Sequence, residues 1–267
     1  MTPAKPRRAV RGARANPADR VRRAPARLAH DGQLQESQPH GLPGFLVCVE
    51  GVDGSGKSTQ VRLLYEWLRG LGCKVHFSEW NSSDIVRGAT KRGKKEQTLT
   101  PTTFSLLHAT DFADRYERQI LPRLEAGWMV LCDRYMYTAF ARDQVRGCDA
   151  AWLRRLYSFA AKPDLAFYYD LPQSVALGRI LAGRPNIKYH EAGMDLHLSN
   201  DIRESFRIFQ GRILQQYLAM AKPDGFQVMD ATQGIHEQQE RMRAVLRKSV
   251  DLARFQSRSR VYKEARA

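Results

Sequence analysis

Between residues 41 and 253, short apolar runs alternate with segments whose apolar positions recur every three to four residues. Residues 45–50, Phe-Leu-Val-Cys-Val-Glu, form an almost unbroken apolar run and predict a buried strand. The next segment places Val61, Leu64, Tyr65 and Leu68 at helical spacing. It predicts a helix over 57–70, stopped by Gly70 and Gly72. Further strands are predicted at 74–79, 128–132, 165–171 and 226–230. Helices are predicted near 101–125, 137–145, 149–161, 172–182 and 199–220, and from 235 into the low 250s. Residues 81–98 are polar, carry Arg87, Lys91, Arg92, Lys94 and Lys95, and read as an exposed loop or frayed helix. Strands alternating with helices predict an α/β three-layer sandwich, a central parallel sheet covered by helices on both faces. The tetrapeptide Ala-Lys-Pro-Asp occurs at 161–164 and 221–224, each time as a turn that opens a strand.

Composition limits the remaining choices. A hydrophobic fraction of 43% over 267 residues supports a real core. No apolar run approaches a membrane span, and the N-terminus lacks the apolar segment of a secretory signal, so a cytoplasmic protein without membrane contact is expected. Cys48, Cys73, Cys132 and Cys148 are scattered without Cys-x-x-Cys spacing and read as reduced core thiols rather than a zinc site or disulfide frame. The net charge of +15 invites a nucleic-acid reading, but its distribution argues against one. Residues 1–40 hold nine basic and three acidic residues, and 241–267 hold nine and two, which leaves +2 for 41–240. The basicity belongs to the two ends. Residues 1–40, rich in Arg, Ala and Pro, read as a disordered basic arm, and 254–267 as a basic tail. Prolines at 3, 6, 17 and 25 interrupt the amphipathic helix that a transit peptide would need. Nucleic acid bound through these ends is the less favoured reading.

The strongest chemical signal lies between the first strand and the first helix. Gly51, Val52, Asp53, Gly54, Ser55, Gly56, Lys57 and Ser58 complete a G-x-x-x-x-G-K-[ST] phosphate loop, with Thr59 following. Strand, glycine loop and helix are the context this motif requires. Backbone N–H groups and a helix N-terminus then converge on one anion. These nine residues are the expected ATP-binding set of a P-loop NTPase fold. Lys57 would reach the β- and γ-phosphates, and the Ser58 hydroxyl would sit on Mg²⁺. Asp133 ends the 128–132 strand, where a carboxylate can hold Mg²⁺, and Arg134 beside it can clamp a second phosphate. Residues 179–195 carry Arg179 and Arg184 among Gly183, Pro185 and Gly193, a composition suited to a closing lid that brings mobile positive charge to a transferring phosphoryl group.

Residues 50–60, then Ile120-Leu-Pro122, Gly127, Asp133-Arg-Tyr135, Lys162-Pro-Asp164, Asp170, Gly193-Met-Asp195 and Asp230-Ala-Thr232, resemble the thymidylate kinase family in order and spacing, over about 44–250. The resemblance implies a kinase domain at 41–253 that converts ATP and dTMP to ADP and dTDP with Mg²⁺. It also implies a homodimer. By position it assigns Asp53 to the acceptor's 3′-hydroxyl and Arg134 to the acceptor phosphate, with Asp133 helping to place Mg²⁺. Residue 54 is Gly where one branch of the family has a catalytic arginine, so this chain is similar to the branch that supplies the arginine from its lid, through Arg179 and Arg184.

The acceptor side departs from the family pattern. Ser78-Glu79-Trp80 lacks the arginine and proline expected after the second strand. Phe112 stands where the family has a base-contacting arginine, although Asp114-Arg115 follows three residues on. The family's Ser-x-x-Ala-Tyr-Gln reads Thr138-Ala-Phe-Ala141-Arg142-Asp143, so its Tyr-Gln pair has become Arg142-Asp143. Phe112, Thr138 and Arg142, with Asp53 and Arg134, are the expected acceptor-binding residues. A different acceptor, such as another nucleotide or a deoxynucleoside, stays open from the residues, as does a nucleotide-dependent switch or nucleic-acid-associated NTPase.

Overall fold

The computed structural model describes residues 39–183 and 186–257. The basic arm expected over 1–40 lies outside these residues except for its last two, and Arg184 and Pro185 of the expected lid lie outside them as well.

Five parallel strands form one sheet in the order β2-β3-β1-β4-β5. They are β1 (Phe45–Gly51), β2 (Val75–Glu79), β3 (Met129–Asp133), β4 (Leu165–Asp170) and β5 (Gln227–Asp230). Successive strand residues point to opposite faces, so the near-complete burial of β1, β3 and β4 means that helices cover both faces. That is the expected three-layer α/β sandwich. β1 lies between β3 and β4, with Val49 level with Asp133 and Gly51 level with Tyr169. The chain therefore leaves β1 in opposite directions on its two sides, and a crevice opens above the carboxyl ends of these strands.

Helix α1 (Lys57–Gly70) covers β1, β2 and β3 and meets the last helix, α9 (Ile235–Ser249). Of the exposed loop or frayed helix expected over 81–98, residues 84–96 form the helix, α2 (Asp84–Glu96), and it is regular. The Ser83 Oγ caps it by accepting from Ile85 N–H, and Gln97 ends it in a left-handed conformation. Only Val86 and Gly93 of α2 are buried, so the sequence offers little apolar stripe to read. The predicted helix over 101–125 is α3 (Pro101–Arg115), a π-helical turn at Tyr116–Ile120, and α4 (Leu121–Glu125), in unbroken succession. α5 (Met136–Val145) packs against β1, α3, α6 (Ala150–Leu156) and α8 (Ile202–Ala221). α6 stops five residues earlier than predicted, and α7 (Gln173–Gly183) packs on α8.

Packing extends beyond the predicted boundary at 253. After α9 a 3₁₀ turn, Leu252–Phe255, buries Phe255, whose carbonyl accepts from Lys74 N–H at 2.7 Å. Ser257 N–H donates to Gly72 O at 3.0 Å. At the other end of the chain, Pro39 bridges to Lys162, and the His40 ring meets Asp164 at 2.7 Å. Each of these contacts lies beside the amino end of a strand, β2 or β4, away from the phosphate loop. Three of the four cysteines are buried free thiols, whereas Cys148 is half-buried rather than in the core. Among the described residues, no helix is long and apolar enough to cross a membrane.

Candidate active site

The phosphate loop follows from its glycines. Gly56 is the N-cap of α1 at φ 83° and offers no side chain to the helix N-terminus, which leaves the first N–H groups of α1 for an anion. Gly54 also has φ +83°, and a Cβ there would lie 2.7 Å from the Ala176 carbonyl of α7. The loop therefore backs directly onto α7, and no side chain fits at position 54. The Lys57 ammonium is buried and donates to Val52 O at 3.3 Å. Burial, reinforced by the Arg134 charge, brings it down to about 8. Ser58 and Thr59 are exposed at the start of α1, and the buried Ser55 Oγ has no hydrogen-bond partner among the described residues.

The turn after β3 is fixed from beneath by Glu50. Its carboxylate is fully buried and accepts from Tyr135 N–H (2.7 Å), Thr138 Oγ1–H (2.6 Å) and Tyr217 O–H (2.8 Å). Burial is the largest influence on this carboxyl and raises its pKa in spite of those donors. Arg134 sits in this turn at φ 70°, a left-handed conformation uncommon for arginine, and its N–H donates to Val49 O at 3.0 Å. The strained turn directs its guanidinium to Asp53, to Gly51 O (3.4 Å) and to Thr138 Oγ1 (3.5 Å). Arg142, two turns along α5, donates to the other Asp53 oxygen at 2.5 Å. Lys57 Nζ lies 3.9 Å from Asp53. Burial alone would raise the Asp53 pKa, but Arg142 and Arg134 outweigh it and hold the carboxyl well below the usual carboxylate range.

Asp133 tests the fit to a metal. It is 5% exposed, and its Oδ1 accepts no hydrogen bond from the described residues. One carboxylate oxygen free of hydrogen bonds, on the strand beside the one that leads into the phosphate loop, together with the exposed Ser58 hydroxyl of that loop, suits Mg²⁺. This ion is usually held by one or two carboxylates and by substrate phosphates.

Beside the phosphate loop lies a cavity of about 490 Å³, lined by Asp53, Arg134, Thr138 and Arg142 from the expected set. Its remaining wall comes from Trp80, Asn81, Lys94, Lys95, Phe104, His108, Arg146 and residues 188–191. Residues 188–191 fall in the expected lid, and none of the others was expected at the site. They belong to separate elements, and only the i, i+4 spacing of Arg142 on α5 and Arg146 at its C-cap signals a shared face. Phe112 corrects the expectation: it is fully buried, packed on Trp80, Tyr116, Tyr135 and Tyr157, and does not line the cavity. An aromatic side chain at a core-facing helix position joins the core. Arg115, the other arginine in that stretch, is also fully buried, donating to Ser78 Oγ at 3.0 Å.

The expected lid divides into two parts. Arg179 is exposed on α7, one turn beyond Ala176, and does not line the cavity. Residues 188–191 instead line the cavity, within the segment 188–196. Arg146 holds them, with its Nε–H donating to Asp195 at 2.9 Å, its Nη2 to His190 O at 2.9 Å, and its guanidinium 4.7 Å from the Phe104 and Phe209 rings. His190 reaches Lys94 O on α2 at 3.2 Å, and Gln210 donates to Glu191 O at 3.0 Å. Burial, with Arg142 and Arg146 nearby, brings the Lys94 ammonium down to about 8.

Residues 49–242 match the family described as thymidylate kinase. The chain is 44% identical, over 79% of its length and 99% of the relative, to "Probable thymidylate kinase 2" of Saccharolobus solfataricus. It is 38% identical, over 52% of its length and 71% of the relative, to "Probable thymidylate kinase" of Pyrococcus horikoshii. It is 34% identical, over 75% of its length and 93% of the relative, to "Thymidylate kinase" of Leifsonia xyli subsp. xyli.

Proposed function

This chain belongs to the thymidylate kinase family, and on that premise we propose that it moves the γ-phosphoryl group of ATP directly onto the phosphate of dTMP, releasing ADP and dTDP. An ionised oxygen of the acceptor phosphate forms the new P–O bond as the bond to the β-phosphate oxygen breaks. That oxygen is already a nucleophile at neutral pH, so positioning and charge neutralisation carry the rate.

The observation that carries this reading is the convergence of Lys57, Arg134 and Arg142 on Asp53 beside the cavity. Lys57 and the loop amides would hold the donor phosphates, Arg134 and Arg142 the acceptor phosphate, and Asp53 the acceptor's 3′-hydroxyl. Thr138 fixes Arg134 from below. Ser58 and Asp133 would hold Mg²⁺, which would supply positive charge to offset that of the donor phosphates. Arg179 and Arg184 are proposed as the mobile positive charge over the transfer. The approach of α7 to Gly54 supports this for Arg179, which lies one turn from that contact.

A cytoplasmic homodimer belongs to the same proposal. Free thiols suit a reducing compartment, and Ile85 and Leu106, at 58% and 45% exposure on α2 and α3, offer apolar area to a second copy. The basic arms are proposed as accessories to the kinase domain. A coupled ADP-release assay across dTMP, dUMP, dCMP, AMP and thymidine tests the central claim, which fails if dTMP is not the best acceptor.

A further inference from the structure

We propose that His108 reads the base edge of the acceptor, with its ring tautomer fixed by the buried carboxylate of Asp143. This inference rests on the dTMP reading and extends it to the question of what recognises thymine.

Two observations converge. The first is a residue without a satisfied role: Asp143 is completely buried, and neither carboxylate oxygen accepts a hydrogen bond from the described residues. A buried carboxylate in that condition is costly unless a cationic or N–H group faces it. The group that faces it is the His108 ring, with Nδ1 3.4 Å from Asp143 Oδ1. The second observation is placement. His108 lines the acceptor cavity, with its ring 4.5 Å from Phe104 and 5.7 Å from Trp80, two further wall residues. Nδ1 is buried and, like both Asp143 oxygens, makes no hydrogen bond among the described residues, with Asp143 Oδ1 the carboxylate oxygen it faces at 3.4 Å, so Nε2 is the nitrogen left for the cavity.

The charge state follows from the neighbours. Asp143 faces the ring from α5, Arg146 from the C-cap of that helix, and Lys94 from α2. Burial is the largest influence and lowers the imidazole below its ordinary range, opposed by Asp143 and assisted by Lys94 and Arg146. The ring is then neutral near pH 7. A neutral ring carries one proton, and the carboxylate beside Nδ1 keeps it there. Nε2 consequently presents a lone pair to the cavity. That lone pair complements the N3–H of thymine or uracil and opposes the N3 lone pair of cytosine. The recognition lost at Phe112, which the core has taken, is thereby supplied from the preceding turn of the same helix.

The test measures kcat and KM for dTMP and dCMP in the wild type, His108→Phe and His108→Gln, together with the ring ¹⁵N signals of the wild-type histidines. The dTMP preference of the wild type is expected to fall by about 10²-fold in His108→Phe, mainly through KM, because a base-edge partner is lost. His108→Gln, which can place an amide oxygen near the Nε2 position, should recover part of that preference. The His108 ring should carry its proton on Nδ1. Wild-type selectivity retained in His108→Phe overturns the inference, as does a proton found on Nε2, and the second result stands even if the variant does not fold. A wild type that fails to turn over dTMP sinks the dTMP reading instead.

Discussion

Arg142 Nη2 lies 2.5 Å from one oxygen of Asp53, while Arg134 holds the other. Without substrate, one carboxylate thus occupies both guanidinium groups proposed to grip the acceptor phosphate. An incoming phosphate must compete with it or share them. Arg134→Gln is expected to lower kcat by about 10²–10³-fold, as for loss of one preorganised donor to developing charge. Arg142→Gln should mainly raise the KM for dTMP, since Arg134 still satisfies Asp53. Steady-state kinetics at saturating ATP separate the two outcomes, and equal effects on kcat and KM in both variants would contradict this division of labour.

Lys57 gives a pH prediction. Its ammonium is brought from the ordinary 10.5 to about 8 in the free protein. Donor phosphates stabilise the charged form, so ATP binding should take up protons above pH 8, and affinity should weaken as pH rises through that point. The folded state binds fewer protons than the unfolded state between about pH 8 and 10.5, so this lysine makes stability rise with pH across that window. Titration calorimetry in buffers of different ionisation enthalpy, between pH 7 and 9.5, reads the proton uptake. No uptake at pH 9 would contradict it.

Gly54 abuts α7 so closely that a methyl group cannot enter without displacing backbone. Gly54→Ala also places a side chain at φ +83°. A stability loss of about 1–3 kcal/mol is expected from the strained backbone and the clash together. ATP affinity should fall with it. Urea unfolding and nucleotide binding check the two effects.

Glu50→Gln keeps the size of the side chain but turns one acceptor into an NH₂ group facing N–H and O–H donors. A cost of about 1–3 kcal/mol is expected for the buried group left unsatisfied. Arg134 should lose its placement, lowering kcat more than it raises the KM for ATP. Unchanged kcat in a stably folded variant would show that the left-handed turn holds without Glu50.

The phosphate loop, Asp133 and Arg134 were legible in the sequence because each is a local event, a strand run ending in a short motif. The cavity wall was not. Lys94, His108, Arg146 and Lys188 come from α2, α3, the C-cap of α5 and the segment 188–196, and no spacing in the chain announces their meeting. α2 could be read only as a loop or frayed helix because just two of its residues are buried. Phe112 shows the opposite error: a position matched to a family role is occupied by a residue whose chemistry takes it into the core.

Pro39 and Ser257 both anchor beside the amino ends of strands, whereas Asp53 and Arg134 lie at the carboxyl ends. An attachment made at Pro39 or Ser257 would therefore hold the molecule on the side opposite Asp53 and Arg134. Immobilised through either end, the enzyme should retain its turnover.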